Sequence, residues 1–286
     1  MTNTSRGLII TIIGVFIMSF ESLLIKLTSI DSIAFSFYIG LCMFISMLFM
    51  LFKEKNRLKK IKVSALKYML FAGLLMALAN LFFIAAIKNT LASNVVLIIA
   101  TSPLFSALIA FLFYKTKPQK NIYIASFFIF VGLFVIFGSH LDSGNLLGNI
   151  YAVICTVLFS SFFVFLSHHK NLNRVVILCL TGLELAIIAY FLADNLQIDN
   201  TSLIYILIMG LLVTPISRLM ITNGTKYINA SEVSLLMIIE TVMAPIWVWM
   251  ILKEVPSLST FYGGIIIILT LVLNSLYLLK KSKELN

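Results

Sequence analysis

Charge is scarce in this chain. Of its 286 residues only 11% are Asp, Glu, Lys or Arg, while 61% are hydrophobic and the mean hydropathy is +1.08. Soluble domains carry about 25% charged residues, so a water-solvated fold is excluded. Cysteine, histidine and proline are also few, at three, three and five. Cys42, Cys155 and Cys179 lack CxxC spacing, which excludes a disulfide framework or thiolate metal site and leaves them as small packing residues. His168 and His169 are adjacent, beside Lys170, and read as interfacial rather than as a metal pair. GxGxxG, GxxxxGKS/T and HExxH are all missing, so no nucleotide-driven pump, nucleotide enzyme, cofactor or metal site is expected.

What the chain does have is long apolar runs. A helix needs about 20 apolar residues to cross the hydrocarbon. Ten such spans are read at about 8–27, 33–52, 66–87, 92–114, 120–138, 146–167, 174–193, 202–221, 231–252 and 259–280, leaving no room for a separate soluble domain. The first reads as a helix rather than a cleaved leader, because Glu21 and Lys26 interrupt it and no small-x-small site follows.

The net charge of +10 would suit nucleic acid were it spread over a surface, but its distribution instead marks topology. With the N-terminus in the cytoplasm, every Lys and Arg except Lys26, Lys88, Arg218 and Lys253 falls on the inner side. The opposite loops SHLDSGN and DNLQIDN carry acid and no base. The positive-inside rule therefore places both termini in the cytoplasm of a multi-pass protein of the inner or plasma membrane. The basic run from Lys53 to Lys67 fits contact with anionic headgroups, and no nucleic-acid partner is expected.

Displacing the chain by 138 residues lays KNTLASNVVLIIATSPLFSALIAFLFYKTKP (Lys88 to Pro118) on KYINASEVSLLMIIETVMAPIWVWMILKEVP (Lys226 to Pro256). Lys88 meets Lys226, Ala92 meets Ala230, Val95 meets Val233 and Pro118 meets Pro256. Ser93 and Ser231 each read as an N-cap, with the two prolines as stops. Each half, 1–140 and 141–286, holds five spans, an odd number, so the second enters the membrane from the opposite side. That is an inverted-topology repeat, an architecture that places a site near the midplane.

The five-plus-five layout, and above all ASEVSLLMIIETVMAPIWVWMILKEVPSLSTFYGGIIII, resembles the EamA-type branch of the drug/metabolite transporter superfamily. Glu240, Pro245, Glu254, Gly263 and Gly264 carry the resemblance. It implies an all-α membrane fold, export or exchange of small metabolites, and a central cavity lined by the first, third, fourth, sixth, eighth and ninth spans. The first copy departs from the pattern, with Ser102 in place of Glu240 and Thr116 in place of Glu254.

An ionisable group at the centre of a span costs about 2.5–3.5 kcal/mol on insertion scales, so each must face a partner or water. Glu240 lies near the midplane with Ala244 and Trp247 on its face, while Trp249 points elsewhere, into packing or lipid. Arg218 sits in a stripe with Thr214 and Thr222 just after Pro215. It suits a substrate carboxylate or phosphate, inner headgroups, or a salt bridge to Glu240 or Glu232. By the 138-residue displacement its counterpart is Asn80, as Ser102 is that of Glu240 and Asn94 that of Glu232. Glu21 is the candidate for proton coupling, against a structural role with a partner such as Lys26; Glu184 is rated lower, in a peripheral span. Thr156, Ser160 and Ser161 are expected mainly to bond their own helix.

These residues predict a secondary transporter, monomeric or homodimeric, with a small solute such as an amino acid held near Glu240, Arg218, Trp247, Asn80 and Ser102. The alternative is a membrane enzyme acting on a lipid-linked substrate. That would call for clustered His, Asp or Ser groups near one interface, a pattern the sequence does not contain.

Overall fold

The computed structural model describes residues 3–53, 63–115, 120–138, 146–169, 171–224, 227 and 236–284. Within them the secondary structure is helical: α1 (Asn3–Met18), α2 (Glu21–Lys26), α3 (Ser32–Lys53), α4 (Val63–Asn89), α5 (Ala92–Ile99), α6 (Ser102–Tyr114) and α7 (Lys120–Gly138). Then follow α8 (Leu146–His168), α9 (Arg174–Leu192), α10 (Asn200–Ile208), a π turn (Met209–Val213), α11 (Thr214–Gly224), α12 (Ile238–Leu252) and α13 (Leu258–Glu284). Among the described residues, seven segments are long and apolar enough to cross a membrane. Two shorter apolar helices, Ile239–Leu252 and Leu258–Asn274, add to them.

The outer surface is itself apolar. Phe113, Phe134 and Phe191 are 77%, 78% and 81% exposed, and Trp249 is 52% exposed. In water such a surface would aggregate; against lipid tails it is the stable choice. Inside, Met43, Met47, Met69 and Met76 join Phe35 and Phe162 in one continuous core. Thioethers fill the irregular gaps between crossing helices there.

Among the described residues four expected spans are interrupted, the ninth by a turn at Met237 just ahead of α12. The first breaks at Ser19–Phe20 without any proline: the Ser19 hydroxyl donates to the Phe16 carbonyl at 2.7 Å, and its amide is shared between Val15 and Phe16. The fourth breaks at Ala100–Thr101, just ahead of Pro103, which has no N–H to offer the Ile99 carbonyl four residues back. Thr101 Oγ1 donates to the Ile98 carbonyl at 2.6 Å in that turn. The eighth widens into the π turn just before Pro215, which has no N–H to offer the Leu211 carbonyl four residues back. Ser46 Oγ, from α3, donates to that carbonyl at 3.3 Å instead.

The Ser93 cap is also corrected. Ser93 lies inside α5, buried, and Leu91 holds the N-cap position without a side-chain bond. The amide of Ala92 donates instead to Glu254 Oε1 at 2.8 Å, from the far end of the chain. Ser231, Glu232, Thr116, Pro118, the basic residues between 54 and 62, and the 139–145 loop lie outside the described residues.

The packing follows the 138-residue displacement. Carried forward by it, α1 falls on α8, α3 on α9, α4 on α10–α11, α5–α6 on the segment ending in α12, and α7 on α13. α3 packs on α9, α5 on α12 and α7 on α13, each helix against its own counterpart, while α1 packs on α11 just as α8 packs on α4. Lys115 and Lys253, which end α6 and α12, are equivalent under the same displacement and share a left-handed backbone, φ 57° and 58°. The α3–α9 contact is backbone to backbone: a Cβ on Gly40 would stand 2.6 Å from the Ala186 nitrogen, and one on Gly182 would stand 2.6 Å from the Phe44 nitrogen.

Candidate functional site

The interruption in the first span has a chemical consequence. It ends α1 at Met18 and opens α2 at Glu21, so a sulfur and a carboxylate from the break both reach the same side chain on α11. Arg218 Nη2 donates to Glu21 Oε2 at 3.0 Å, and Nη1 approaches Met18 Sδ at 3.2 Å. Nη2 also points at Asn80 Oδ1, 3.5 Å away, and the guanidinium lies over the Phe159 ring, 5.6 Å from its centroid. Glu21 is 1% exposed and Arg218 7%. The salt bridge is thus formed inside the protein, where its Coulomb energy is unscreened but both ions have lost water. Glu21 Oε1 and Arg218 Nε are buried without a hydrogen-bond partner among the described residues.

Arg218 therefore pairs with neither Glu240 nor the headgroups, and Glu21 does not take Lys26. Lys26 goes to Glu254, at 2.9 Å. The Thr222 hydroxyl, expected in a polar stripe with Arg218, donates to the Arg218 carbonyl at 2.7 Å.

Beside the ion pair opens a narrow cleft of about 20 Å³. Its walls come from α4 (Asn80, Phe83), α5 (Ile99), α8 (Cys155, Phe159), α11 (Arg218) and α12 (Glu240), with Met237 just before α12. These belong to the third, fourth, sixth, eighth and ninth spans. Glu240 is 7% exposed, and among the described residues its carboxylate makes no hydrogen bond and no ion pair. Three of the residues expected at the site, Asn80, Arg218 and Glu240, thus share one cleft, and Glu21 adjoins it through Arg218.

Trp247 and Ser102 stand apart from the cleft lining. The Trp247 indole stacks on Phe20 with centroids 4.9 Å apart and donates from Nε1 to Ser19 Oγ at 3.0 Å. It pins α12 to the break in the first span, satisfying its polar handle while half-burying its ring. The Ser102 carbonyl accepts from Ser160 Oγ at 3.0 Å, tying α6 to α8, whereas Thr156 and Ser161 bond their own helix. Phe83, Ile99, Phe159 and Met237 were not singled out from the sequence, and Cys155 was read there only as a packing residue. Their only local signal is spacing, with Phe83 at i+3 from Asn80 and Phe159 at i+4 from Cys155.

At one end of the bundle a second polar system joins the two halves. Glu254 accepts from Lys26 and from the Ala92 amide, and Lys26 also donates to the Thr90 carbonyl at 2.8 Å. Thr90 and Asn94 bond Asn149, and Thr260 Oγ1 donates to Asn94 at 2.5 Å. Ser29 Oγ donates to Asp199 Oδ1 at 2.9 Å, and the Ser29 amide donates to Ser202 Oγ. Hydrogen bonds from Ser202 and Ser29 hold the exposed Asp199 carboxyl down at about 2. At the other end the contacts are between rings: Tyr114 stacks on His168 and Tyr68 on His169. No group of three or more metal-capable side chains occurs among the described residues.

A helical chain with seven segments long and apolar enough to cross a membrane and an apolar outer surface is a polytopic membrane protein. The chain belongs to the EamA-like transporter family, whose sequence profile matches it twice, over residues 5–138 and 146–276. It is similar to an uncharacterized transporter of Archaeoglobus fulgidus, with 23% identity covering 65% of this chain and 61% of that protein. It is similar also to the uncharacterized transporter YdfC of Bacillus subtilis, with 25% identity covering 59% of this chain and 58% of that protein. The matches thus span about six tenths of the length of these curated relatives. A solved crystal structure superposes with a TM-score of 0.67 at 13% identity, covering 95% of this chain and 98% of the other, a likeness of fold.

Proposed function

We propose that the chain is a secondary transporter that moves a small organic solute across the cell membrane by alternating access. It is built as ten spans in two inverted repeats, 1–140 and 141–286, with both termini in the cytoplasm. It acts as a monomer or homodimer without a cofactor. The observation that carries this reading is the polar lining of the cleft: Asn80 and Cys155, from different halves, share one narrow cavity with Glu240 and Arg218. An ion channel or scaffold has no need of a carboxylate left unpaired at such a place.

The distribution of contacts supports the mechanism. On the positive-inside topology, the end that carries Lys26, Glu254, Asn149 and Asp199 is the outer end. Many polar bonds between the halves lie there among the described residues, which suits a conformation closed to the outside. Pro103, Pro215 and the break at Ser19 supply hinge points where helices change direction without stranding backbone groups. Glu21, locked to Arg218 in this state, would be released in another, which suits a proton-coupling role.

Flux into proteoliposomes, measured with a panel of amino acids and amines with and without an imposed proton gradient, tests the reading. Gradient-stimulated uptake or counterflow of at least one solute is expected. Absence of flux for every solute, with folded protein in the bilayer, would overturn it.

A further inference from the structure

Two acidic groups, Glu21 and Glu240, meet one basic group, Arg218, around the cleft, and the surplus acid points to a ligand. We propose that Glu240 binds a cationic group, an organic ammonium carried on an apolar body; the assignment rests on the transporter reading above.

Arg218 is not free to clamp an anion. Its guanidinium already holds Glu21 at 3.0 Å, turns its remaining terminal donor toward Met18, and covers the Phe159 face. A substrate carboxylate would have to displace Glu21 from a buried pair, leaving that carboxylate unpaired at 1% exposure. The Arg218–Glu21 pair is neutral as a unit, so the further acidic group at the cleft is Glu240, whose ionised form a bound cation would stabilise. The groups facing it are few: Arg218 on α11, Glu21 on α2 and the Cys155 thiol on α8, while α5 presents only aliphatic Ile99. Glu232 lies outside the described residues.

The rest of the lining fits the body of such a ligand. Phe83 offers a ring and Met237 a polarizable thioether, the surfaces on which organic cations are held. An ammonium set against Glu240 would gain a charge-assisted hydrogen bond in a site largely shielded from water. An anion of the same shape would meet the repulsion of Glu240. A zwitterion would gain at one end and lose at the other.

Equilibrium binding to the purified full chain, using three probes that share a phenyl body, decides the matter: phenethylamine as cation, phenylalanine as zwitterion and 3-phenylpropionate as anion. The amine is expected to bind at least tenfold tighter than the acid. Glu240→Gln should weaken it at least tenfold, with Glu240→Asp, of unchanged charge, falling between. Size-exclusion profiles and the Glu240→Asp result separate loss of the site from loss of the fold. Tighter binding of the zwitterion or the anion, amine binding insensitive to Glu240→Gln, or no binding by any of the three would overturn the assignment. If the cation assignment fails while flux of another solute persists, the transporter reading stands; the flux assay alone decides that reading.

Discussion

Arg218 points a guanidinium nitrogen at the amide oxygen of Asn80, 3.5 Å away, and the two residues stand 138 positions apart. The same displacement carries Lys115 onto Lys253 and the first residue of α7 onto the first of α13. On the inverted-repeat reading, the axis relating the halves passes between Asn80 and Arg218, so the site lies where the repeat meets itself. The displacement also carries Glu21 onto Phe159, and Arg218 touches both, one by charge and one by its face. Each half thus contributes one member of the ion pair, although Glu240, opposite Ser102 in the alignment, has no acidic counterpart.

Breaking the ion pair should cost more than removing it. Glu21→Gln or Arg218→Met alone strands a buried charge and lowers unfolding stability by about 3–5 kcal/mol. The double variant Glu21→Leu with Arg218→Met recovers most of the loss. Thermal unfolding in detergent of the four proteins checks this, and strictly additive losses would contradict a buried pair.

The Lys26–Glu254 contact is expected to hold one end shut. Glu254→Ala loses both the ion pair and the cap on the Ala92 amide, an effect of about 1–2 kcal/mol. Lys26→Ala and Glu254→Gln each keep an acceptor for that amide and cost less. In a background lacking Cys42 and Cys179, membrane-impermeant thiol reagents added outside should label Cys155 faster in Glu254→Ala than in its parent. Equal rates would show that the contact does not gate the cleft.

Helices α3 and α9 meet where no side chain fits. Gly40→Ala places a Cβ 2.6 Å from the backbone nitrogen of Ala186, which cannot swing aside as a side-chain end would. A loss of about 1–3 kcal/mol is expected, read as a lower melting temperature, with Gly182→Ala behaving alike.

Asp199 sets a pH dependence at its contact with Ser29 and Ser202. Its hydrogen bonds lower its folded value to about 2, below the unfolded value of roughly 3.9, so the charged form is the one the fold favours. The contribution is fully present above about pH 4 and fades as pH falls through about 2. Asp199→Asn should therefore melt lower than the parent at pH 7, with the difference shrinking toward pH 2; a difference constant with pH would contradict the assignment.

The spans were legible in the sequence because lipid imposes one rule on every lipid-facing residue, and the repeat was legible from residues such as Lys88/Lys226 and Pro118/Pro256. The break at Ser19 was not legible, since it uses a hydroxyl and a bifurcated amide where the usual signal is proline. The Glu21–Arg218 pair spans 197 residues and depends on α1 packing against α11, which no local pattern encodes. For Trp247, helical spacing put it on the face of Glu240, but the break in the first span brought Phe20 and Ser19 beneath the ring and drew it into packing away from the cleft lining. Glu254 read as a family signature; its role as a cap for a helix in the other half emerged only from the fold.

The most direct test is counterflow in proteoliposomes by the parent, Glu240→Gln and Trp249→Phe, using whichever solute of the amino-acid and amine panel is carried. Glu240 lines the cleft and Trp249 faces lipid at 52% exposure. Loss of counterflow by at least tenfold in Glu240→Gln, with Trp249→Phe near the parent rate, is the predicted result. Parent-level counterflow in a folded Glu240→Gln protein would contradict it.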